Sequence, residues 1–331
     1  MQIGSSVLVA ALALAACSNS KPATKGRIVV AITVDWEGAY LSPEGLDALD
    51  EVREALGPKV PVTHFVCAAY FTKTNPDPAV VKTLTQSVRS GDELAVHLHG
   101  WKSLAVASAI EPRLSPSFLT GTDKLLEFAD GDVGFDTDLD AYSGPELRTL
   151  LRTSRRLLEA QTKLPVSKAF RAGGYLGTPK VLQAIHDEGY TVDSSATDAR
   201  QLDERKDDVL PRRVTEIWPK VDSGTQPFYV PQRGGQLLEL PIAAFADYAT
   251  AAEITGVIEA AGKRLAAAPN KDVFVVLGFH QETADEFGPR LRDGVAAAQQ
   301  QPALASKLLF TTIDHAAALA RPTATPAPTG G

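Results

Sequence analysis

Short apolar runs alternate with amphipathic segments along the chain, and the first apolar run covers residues 28–34. It lacks polar alternation, is rich in valine and isoleucine and is too short for a typical helix, which indicates a parallel strand buried on both faces. Residues 44–56 then place leucine and valine on one helical face and end before a Gly-Pro pair, which predicts an amphipathic helix.

The same order of strand and helix repeats as seven or eight βα units. The predicted strands are residues 28–34, 60–68, 93–99, 166–171, 190–194, 237–241, 273–280 and 308–312. The predicted helices are residues 44–56, 78–90, 144–162, 178–188 and 252–268. Residues 196–236 interrupt the pattern as a long irregular segment, and such loops often form lids or substrate walls. The sequence thus predicts an α/β protein with a parallel sheet and crossover helices.

The first 26 residues differ from the rest of the chain. Residues 7–16 form an apolar run of signal-peptide length, too short to span a bilayer, and the LAAC sequence that ends at Cys17 resembles the lipobox of bacterial lipoproteins. We therefore expect a signal peptide over 1–16, a lipid on Cys17 and a polar tether over 17–26, which would anchor an exported protein in the bacterial cell envelope. The alternative is an uncleaved or non-lipidated leader, because the first six residues carry no lysine or arginine.

Composition narrows the class of protein further. The 331 residues are 44% hydrophobic, enough for one large barrel over 27–320, and residues 321–331 are rich in proline, threonine and glycine, which predicts a disordered tail. A net charge of −7 argues against nucleic-acid binding. The two cysteines, Cys17 and Cys67, make a disulfide framework or a cysteine-based metal site improbable, so any metal must be held by histidine and carboxylate.

Charged and imidazole side chains concentrate at the downstream ends of different predicted strands. They are Asp35, Glu37, His97, His99, Arg171, Asp193 and His280. In a (β/α) barrel these ends converge on one face, which is where active sites lie in that architecture. Each residue taken alone has a structural alternative as a hydrogen-bonded or ion-paired side chain, but their joint placement favours an active site.

Two pairs among these residues have the spacing of a metal site. Asp35 and Glu37 are two residues apart, so on an extended chain they share a face, and neighbouring carboxylates need a cation or a proton to coexist. His97 and His99 share a face in the same way. Two imidazoles and a carboxylate leave open positions on Zn²⁺ or a similar ion, which can lower the pKa of a bound water and polarise a carbonyl. A solvated loop with a helix-capping acid is the alternative for the two acids.

Five short motifs occur in order along the chain. They are TVDWEG at 33–38, GDELAVHLHGW at 91–101, FRAGGY at 170–175, VDSS at 192–195 and LGFHQE at 277–282. Together they resemble the polysaccharide deacetylases of carbohydrate esterase family 4, and the resemblance covers most of residues 27–320. It implies a distorted (β/α)7–8 barrel.

The resemblance also implies roles for the motif residues. Asp35 would be the catalytic base, with Glu37 and His97 as ligands of a divalent metal for which Zn²⁺ is expected and Co²⁺ or Ni²⁺ are alternatives. Arg171 would orient the base, and His280 would be the general acid. Asp193 joins the catalytic set through the fourth motif.

The second motif departs from the family pattern at one position. The family's second metal histidine lies four residues after the first, and Trp101 stands there in this chain. Either His99 replaces that histidine, or the metal has fewer protein ligands, or the site has lost its metal.

The predicted function is hydrolysis of N-acetyl or O-acetyl groups on a cell-envelope or extracellular polysaccharide, with an acetylated glycan as partner and the membrane reached through the lipid anchor. Substrate contacts are expected from Gly173 and from aromatic residues that can stack on sugar rings, although aromatics at barrel rims also pack loops. These aromatic residues are Trp36, Trp101, Tyr175 and Trp218. The alternatives are a lipid-anchored carbohydrate-binding protein without catalysis and a hydrolase of linear C–N bonds, other than peptide bonds, in a non-sugar substrate.

Overall fold

The computed structural model describes residues 25–73, 78–128, 130–205 and 209–327. The strands of these residues are β1 (Ile28–Trp36), β2 (Val62–Cys67), β3 (Glu93–Leu98), β4 (Val166–Ala172), β5 (Val192–Asp193), β6 (Phe228–Gln232), β7 (Gly235–Glu239), β8 (Ile242–Phe245), β9 (Val273–His280), β10 (Leu308–Thr311) and β11 (Thr325–Pro326). Their α-helices are α1 (Pro43–Leu56), α2 (Pro78–Ser87), α3 (Lys102–Ala107), α4 (Gly144–Thr162), α5 (Pro179–Asp187), α6 (Leu210–Ile217), α7 (Ala251–Ala267), α8 (Ala284–Gln299), α9 (Pro302–Ala305) and α10 (Ile313–Ala320). Within this described part, no helix is both long and apolar enough to cross a bilayer.

The first strand is the centre of the sheet. All nine residues of β1 are buried, as expected for a strand covered on both faces. Strand β9 pairs with β1 from Ile28 to Asp35, along one edge. The other edge is shared, because β10 pairs with the first half of β1 and β2 pairs with the second half. The carboxyl end of β1 is therefore held between two parallel strands, which fixes the direction in which its last side chains point.

The sheet closes into a ring. From β1 the order runs through β2, β3, β4 and β5 to β7, and from the other side of β1 through β9 to β8. Strands β7 and β8 are separated by only Leu240 and Pro241, and the backbone N–H of Ile242 donates to the carbonyl of Ala196 beyond β5 at 2.8 Å. The bent segment of β7 and β8 thus joins the two ends, and the predicted (β/α) barrel is confirmed.

Helix boundaries follow local sequence signals. Helix α1 begins after Ser42, whose side chain accepts the N–H of Gly45, and it has proline at its first position. Helix α4 begins with a capping box formed by Ser143 and Glu146. Each such cap satisfies amide groups that the first helical turn leaves open, and caps of this kind contribute about 0.5–2 kcal/mol.

The largest difference from the sequence prediction lies in residues 196–245. The segment expected to be irregular over 196–236 contains α6 and β6, and β6 pairs antiparallel with β7. The strand predicted to end at Pro241 resumes as β8 and continues to Phe245. Pro241 cannot donate a backbone hydrogen bond, so the ladder of the sheet is interrupted at this residue. The chain bends there and rejoins the sheet as β8.

Two long connections cover the carboxyl ends of the strands. One follows α3 and the other follows β5, and the N–H of Val209 donates to the carbonyl of Leu119 at 2.7 Å where they meet. A salt bridge of 2.8 Å between Arg213 and Asp138 joins them a second time. This face of the barrel is therefore roofed by residues from both connections.

The terminal predictions have different outcomes. The signal peptide over 1–16, the lipid on Cys17 and all but the last two residues of the tether lie outside the described residues. The prediction of a disordered tail from Arg321 is wrong for its first part, because β11 pairs with β6 and the N–H of Ala327 donates to the carbonyl of Tyr229. Residues 328–331 lie outside the described residues.

Candidate active site

The strand ends meet at a single cavity of about 510 Å³ on the roofed face of the barrel. Asp35 lies opposite His280 in the register of β1 and β9, and His97 lies opposite Arg171 in the register of β3 and β4. Parallel pairing therefore places residues far apart in the sequence side by side. Asp35, Glu37, His97, His99 and His280 all line the cavity.

Asp35 and Arg171 form a buried ion pair. The guanidinium Nη1 donates to Asp35 Oδ1 at 2.6 Å, and both side chains are at most 1% exposed. The guanidinium also donates from Nε to the carbonyl of Ser194 at 2.7 Å and from Nη2 to the Ser194 hydroxyl at 3.0 Å. Asp35 Oδ2 is buried and has no hydrogen-bond partner among the described residues. Arg171 thus orients one carboxylate oxygen and leaves the other available at the cavity.

Glu37, His97 and His99 bring three ligand atoms within 4.8 Å of one another. The Nε2 atoms of the two histidines are 3.1 Å apart, His97 Nε2 is 3.4 Å from Glu37 Oε1, and His99 Nε2 contacts Glu37 Oε2. Burial raises the pKa of the Glu37 carboxyl, but the imidazoles of His99, His97 and His280 outweigh burial and hold that pKa well below its usual value. For the His97 imidazole, burial lowers the pKa, but the charge of Glu37 and its hydrogen bond to His97 outweigh burial. The pKa of His97 therefore lies above its usual value.

Both ligand histidines are oriented by backbone carbonyls. His97 Nδ1 is 3.0 Å from the carbonyl of Arg171, and His99 Nδ1 is 2.7 Å from the carbonyl of Phe135. A carbonyl can only accept, so Nδ1 carries the proton in each ring and the two Nε2 atoms face each other beside a carboxylate. Two facing imidazole lone pairs repel unless a proton or a metal cation lies between them. The donor set of two imidazoles and one carboxylate therefore fits a divalent metal with open positions.

His99 reaches the cavity, whereas Trp101 packs behind Glu37. The Trp101 indole N–H donates to the carbonyl of Glu37 at 2.9 Å, and the Lys73 ammonium lies 3.7 Å from the centre of its ring. At the cavity, Gly173 leaves the space for His99, because a Cβ at Gly173 would lie 2.5 Å from His99 Cε1. Of the alternatives that the sequence left open, the geometry favours His99 as the second imidazole.

His280 is held between two carboxylates. Its Nδ1 is 2.9 Å from Asp247 Oδ1, and its Nε2 is 3.0 Å from Glu37 Oε1. Burial lowers the pKa of the imidazole, but Asp247 and Glu37 outweigh burial and raise that pKa well above its usual value. A protonated imidazole at the cavity is suited to donate a proton.

Asp247 and Glu282 are site residues that the sequence interpretation missed. Asp247 follows β8, so it is an acidic residue at a strand end, like Asp35. It was missed because the predicted strand ended at Pro241, six residues earlier. Glu282 belongs to the fifth motif, and it accepts the N–H of Glu37 at 3.1 Å and the hydroxyl of Tyr70. Burial and the charge of Glu37 raise the pKa of the Glu282 carboxyl to about 7.

Several predicted site residues lie away from the cavity wall. Of the predicted substrate contacts, Tyr175 lines the cavity, and its hydroxyl is buried without a hydrogen-bond partner among the described residues. The others are absent from the described lining, and they are Trp36, Trp101, Gly173 and Trp218. Trp36 is fully buried and donates to His64 Nδ1 at 3.2 Å, so it packs in the barrel, and Trp218 donates to the carbonyl of Tyr175 at 2.9 Å.

Asp193 also lies behind the cavity and not in its wall. It is fully buried, accepts the Ser195 hydroxyl at 2.7 Å and lies beside Glu239 in the register of β5 and β7. Burial raises the pKa of both carboxyls, and for Glu239 the charge of Asp193 raises it further. Arg171 is the positive charge that opposes this rise for both carboxyls. Asp193 therefore interacts with the charge of Arg171 from behind the cavity and does not face the substrate.

One part of the cavity wall is apolar, whereas Tyr40, Tyr248 and Thr283 contribute polar groups elsewhere in the lining. The residues of the apolar part from the two roofing connections are Phe118, Leu119, Phe128, Phe135 and Leu210. The sequence interpretation missed all of them, because four lie in loops where no periodic pattern marks an inward face and Leu210 begins α6, a helix that was not predicted.

The fold is shared with solved structures of very different sequence. No protein-family model and no curated protein sequence matches the chain. A protein provisionally assigned as a polysaccharide deacetylase from Mycobacterium smegmatis is 14% identical, with 92% of this chain and 94% of that chain covered and a TM-score of 0.51. A probable polysaccharide deacetylase from Pseudomonas aeruginosa is 13% identical, with 90% and 92% covered and a TM-score of 0.50. Puue allantoinase is 13% identical, with 90% and 91% covered and a TM-score of 0.50. The chain therefore has the distorted barrel fold of these proteins.

Proposed function

We propose that the protein is a metal-dependent hydrolase that removes an acyl group from nitrogen or oxygen of a carbohydrate, with the acetyl group as the simplest case. The observation that carries this proposal is the meeting of three kinds of group at one cavity. These are the donor set of Glu37, His97 and His99, the Asp35–Arg171 ion pair, and the His280 imidazole. Together they provide metal ligands, a base and an acid within one site.

Glu37, His97 and His99 would hold the metal, for which we expect Zn²⁺, with Co²⁺ or Ni²⁺ as alternatives. When bound, such an ion lowers the pKa of water and polarises a carbonyl. Asp35 takes the proton of the attacking water through its unpaired Oδ2, and Arg171 keeps the carboxylate oriented by holding Oδ1. The water oxygen bonds to the acyl carbon.

His280 completes the reaction by giving its Nε2 proton to the leaving nitrogen or oxygen as the bond to the acyl carbon breaks. Asp247 holds Nδ1 and thereby sets which nitrogen faces the substrate. The products are a carboxylate and a free amine or hydroxyl group. General acid–base catalysis of this kind typically contributes about 10²–10⁴-fold to the rate.

The biological setting is the second part of the proposal. The expected substrate is a glycan of the cell envelope that carries acyl groups, of which acetyl is the simplest, and it is supported by the five sequence motifs and by the fold shared with proteins assigned as polysaccharide deacetylases. Export and a lipid on Cys17 are supported by the LAAC sequence alone. A hydrolase of a linear C–N bond in a non-sugar substrate is a second candidate, favoured by the fold shared with Puue allantoinase.

The test combines metal analysis with product detection on the full chain. We expect about one equivalent of Zn²⁺, Co²⁺ or Ni²⁺ per chain after purification without chelator, and acid release from acylated glucosamine oligomers that stops on chelation and returns with Zn²⁺. Allantoin is the comparison substrate for the second candidate. A metal-free chain that binds glycans without releasing acid would instead support a carbohydrate-binding protein.

A further inference from the structure

The cavity has two chemically different walls. The proposed reaction uses the charged wall and leaves the apolar one without a role. The apolar wall contains five carbon-only side chains, which are Phe118, Leu119, Phe128, Phe135 and Leu210. Exposed apolar surface in a cavity of this size, within the range of about 300–1,000 Å³ typical of small-molecule sites, marks a place where an apolar part of a ligand binds.

The apolar wall begins at His99. The Phe135 ring stacks on the His99 imidazole with centroids 4.5 Å apart and planes 10° apart, and the Phe118 ring lies 6.1 Å from both. The Phe128 ring is 5.7 Å from Phe135. The aromatic cluster is therefore continuous with the donor set and sits beside the place where the scissile carbonyl must bind.

The proposed acid and His99 reach Glu37 through different carboxylate oxygens. His280 contacts Glu37 through Oε1, whereas His99 contacts it through Oε2. The ring next to His280 is Phe245, with centroids 4.7 Å apart, and Asp247 holds its far nitrogen. Because His280 must face the leaving nitrogen or oxygen, the acyl substituent on the same carbonyl carbon extends away from it, toward the apolar wall.

We propose that the acyl group removed by this site is apolar and larger than acetyl, either a medium-length alkyl chain or an aryl group. This inference rests on the proposed function of acyl hydrolysis and names the substrate class more closely. A hydroxylated group in the same position would lose its water without gaining partners, because the five wall side chains carry no hydrogen-bonding atoms. A methyl group alone would contact only a small part of this wall.

The first experiment varies the acyl group on a fixed amine. We use the full chain loaded with Zn²⁺ and measure kcat/KM for N-acetyl-, N-butyryl-, N-hexanoyl- and N-benzoylglucosamine. Burial of each added methylene should raise kcat/KM about fourfold, and benzoyl should exceed acetyl by about tenfold or more. A kcat/KM that is flat or falls along the series overturns the inference while leaving acyl hydrolysis in place.

Two variants locate the effect in the apolar wall. Phe118→Ala and Phe128→Ala should each lower the ratio of hexanoyl to acetyl kcat/KM by about fivefold or more, because each removes ring surface from the wall. Phe310→Ala is the matched control, since Phe310 lies on β10 beside the amino-terminal half of β1, and its ratio should equal that of the unchanged protein. Equal ratios in all three variants overturn the assignment of the acyl group to this wall.

A binding measurement separates this inference from the proposed function. Calorimetry with the Zn²⁺-loaded protein and the acetyl, butyryl, hexanoyl and benzoyl hydroxamates reports affinity without turnover. Affinity that rises along the series in a protein that hydrolyses none of the amides supports the apolar subsite and overturns the proposed hydrolysis. Affinity that does not depend on the acyl group overturns the apolar subsite, whether or not the protein is active.

Discussion

Asp35 is a buried carboxylate with one paired and one unpaired oxygen, and the proposed chemistry depends on that asymmetry. Arg171 binds Oδ1 at 2.6 Å and is itself held by Ser194, so the guanidinium cannot turn to cover Oδ2. A buried charge without a partner would be costly, and the ion pair lowers that cost. The ion pair with Arg171 therefore both stabilises the buried charge of Asp35 and fixes the orientation of its unpaired Oδ2.

Asp35→Asn should abolish turnover while keeping the fold. The amide preserves the shape but cannot take the proton of the attacking water, so kcat should fall by about 10²–10⁴-fold. Release of acid from acylated glucosamine, measured alongside zinc content, checks this expectation. Asp272→Asn is the matched control, because Asp272 pairs with Arg27 at the other end of the barrel. Normal turnover in Asp35→Asn would remove Asp35 from the mechanism.

Asp247 acts on the reaction through His280, so it is a positioning residue. Asp247→Asn should lower kcat by about 10–100-fold with little change in KM, because the imidazole loses the carboxylate that fixes its orientation. Steady-state kinetics separate the two parameters. Asp314→Asn, on α10, is the control for the same chemical change. A rise in KM at constant kcat would show that Asp247 binds substrate instead.

At the scale of elements, one local feature stabilises a helix of the barrel and another positions a side chain of the site. The amino end of α4 is closed by the capping box of Ser143 and Glu146. The turn after β4 carries Gly173, whose missing side chain gives His99 its place. The capping box is encoded by neighbouring residues, whereas the contact of Gly173 with His99 joins β4 to β3 and lies at the site.

The charge of Glu146 should make the stability of the fold depend on pH. Hydrogen bonds from Ser143 lower the pKa of the Glu146 carboxyl from its usual 4.5 to about 2 in the folded protein. A pKa that is lower in the folded state stabilises the fold above pH 4.5, and this contribution is lost as the pH falls toward 2. Glu146→Gln should therefore lower the free energy of unfolding at pH 7, and the difference from the unchanged protein should shrink toward pH 2.

Urea unfolding across that pH range measures the effect of Glu146→Gln. Glu159→Gln is the control, because Glu159 is exposed near the carboxyl end of the same helix and pairs with half-buried Arg155. A destabilisation by Glu146→Gln that is the same at all pH values would contradict the charge-based account.

Gly173→Ala should weaken metal binding without unfolding the barrel. The new methyl group would lie 2.5 Å from His99 Cε1, so the imidazole must shift away from the other ligands. We expect about a 10–100-fold loss of zinc affinity, measured by competition with a chromogenic chelator. Gly256→Ala in α7 is the control, because a Cβ there meets nothing within 4 Å and alanine favours the helix. Unchanged affinity in Gly173→Ala would show that His99 is not a ligand.

At the scale of the whole molecule, the site is assembled from strands and loops that are distant in the sequence. The ligands come from β1 and β3 with the residues that follow them, and the acid comes from the end of β9. The apolar wall comes from the two roofing connections, which are joined by the bond from Val209 to Leu119. A ligand bound at this point therefore contacts residues from several distant parts of the chain, and its binding should stabilise the entire barrel.

Zinc should raise the melting temperature of the protein. A metal that binds the folded barrel and not the unfolded chain stabilises it by about 4 kcal/mol at a concentration 1,000 times its Kd. Thermal unfolding with zinc and with excess chelator should differ by several degrees. His99→Ala should remove most of that difference, whereas His315→Ala, in exposed α10 sequence, should keep it. The same melting temperature with and without zinc would contradict the metal site.

Much of the fold and part of the site were predictable from local sequence. The buried run that became β1 and the acids that follow it were identified because a parallel strand has a nearly uniform apolar composition and ends abruptly. The end of β8 was missed because Pro241 interrupts the pattern, and Asp247 was missed with it. The three tryptophans were wrongly expected at the substrate, because aromatic character does not reveal whether a ring faces the cavity or the core.

The sequence by itself determined the order of most strands and of helices α1, α2, α4, α5 and α7, and the position of most charged residues at strand ends, because both depend on neighbours a few residues away. Only the tertiary structure decided which of those residues meet. Strand register placed Asp35 beside His280, the close approach of Gly173 admitted His99 in place of Trp101, and loop packing built the apolar wall. These outcomes depend on contacts between segments far apart in the chain, and no local pattern of residues encodes such distances.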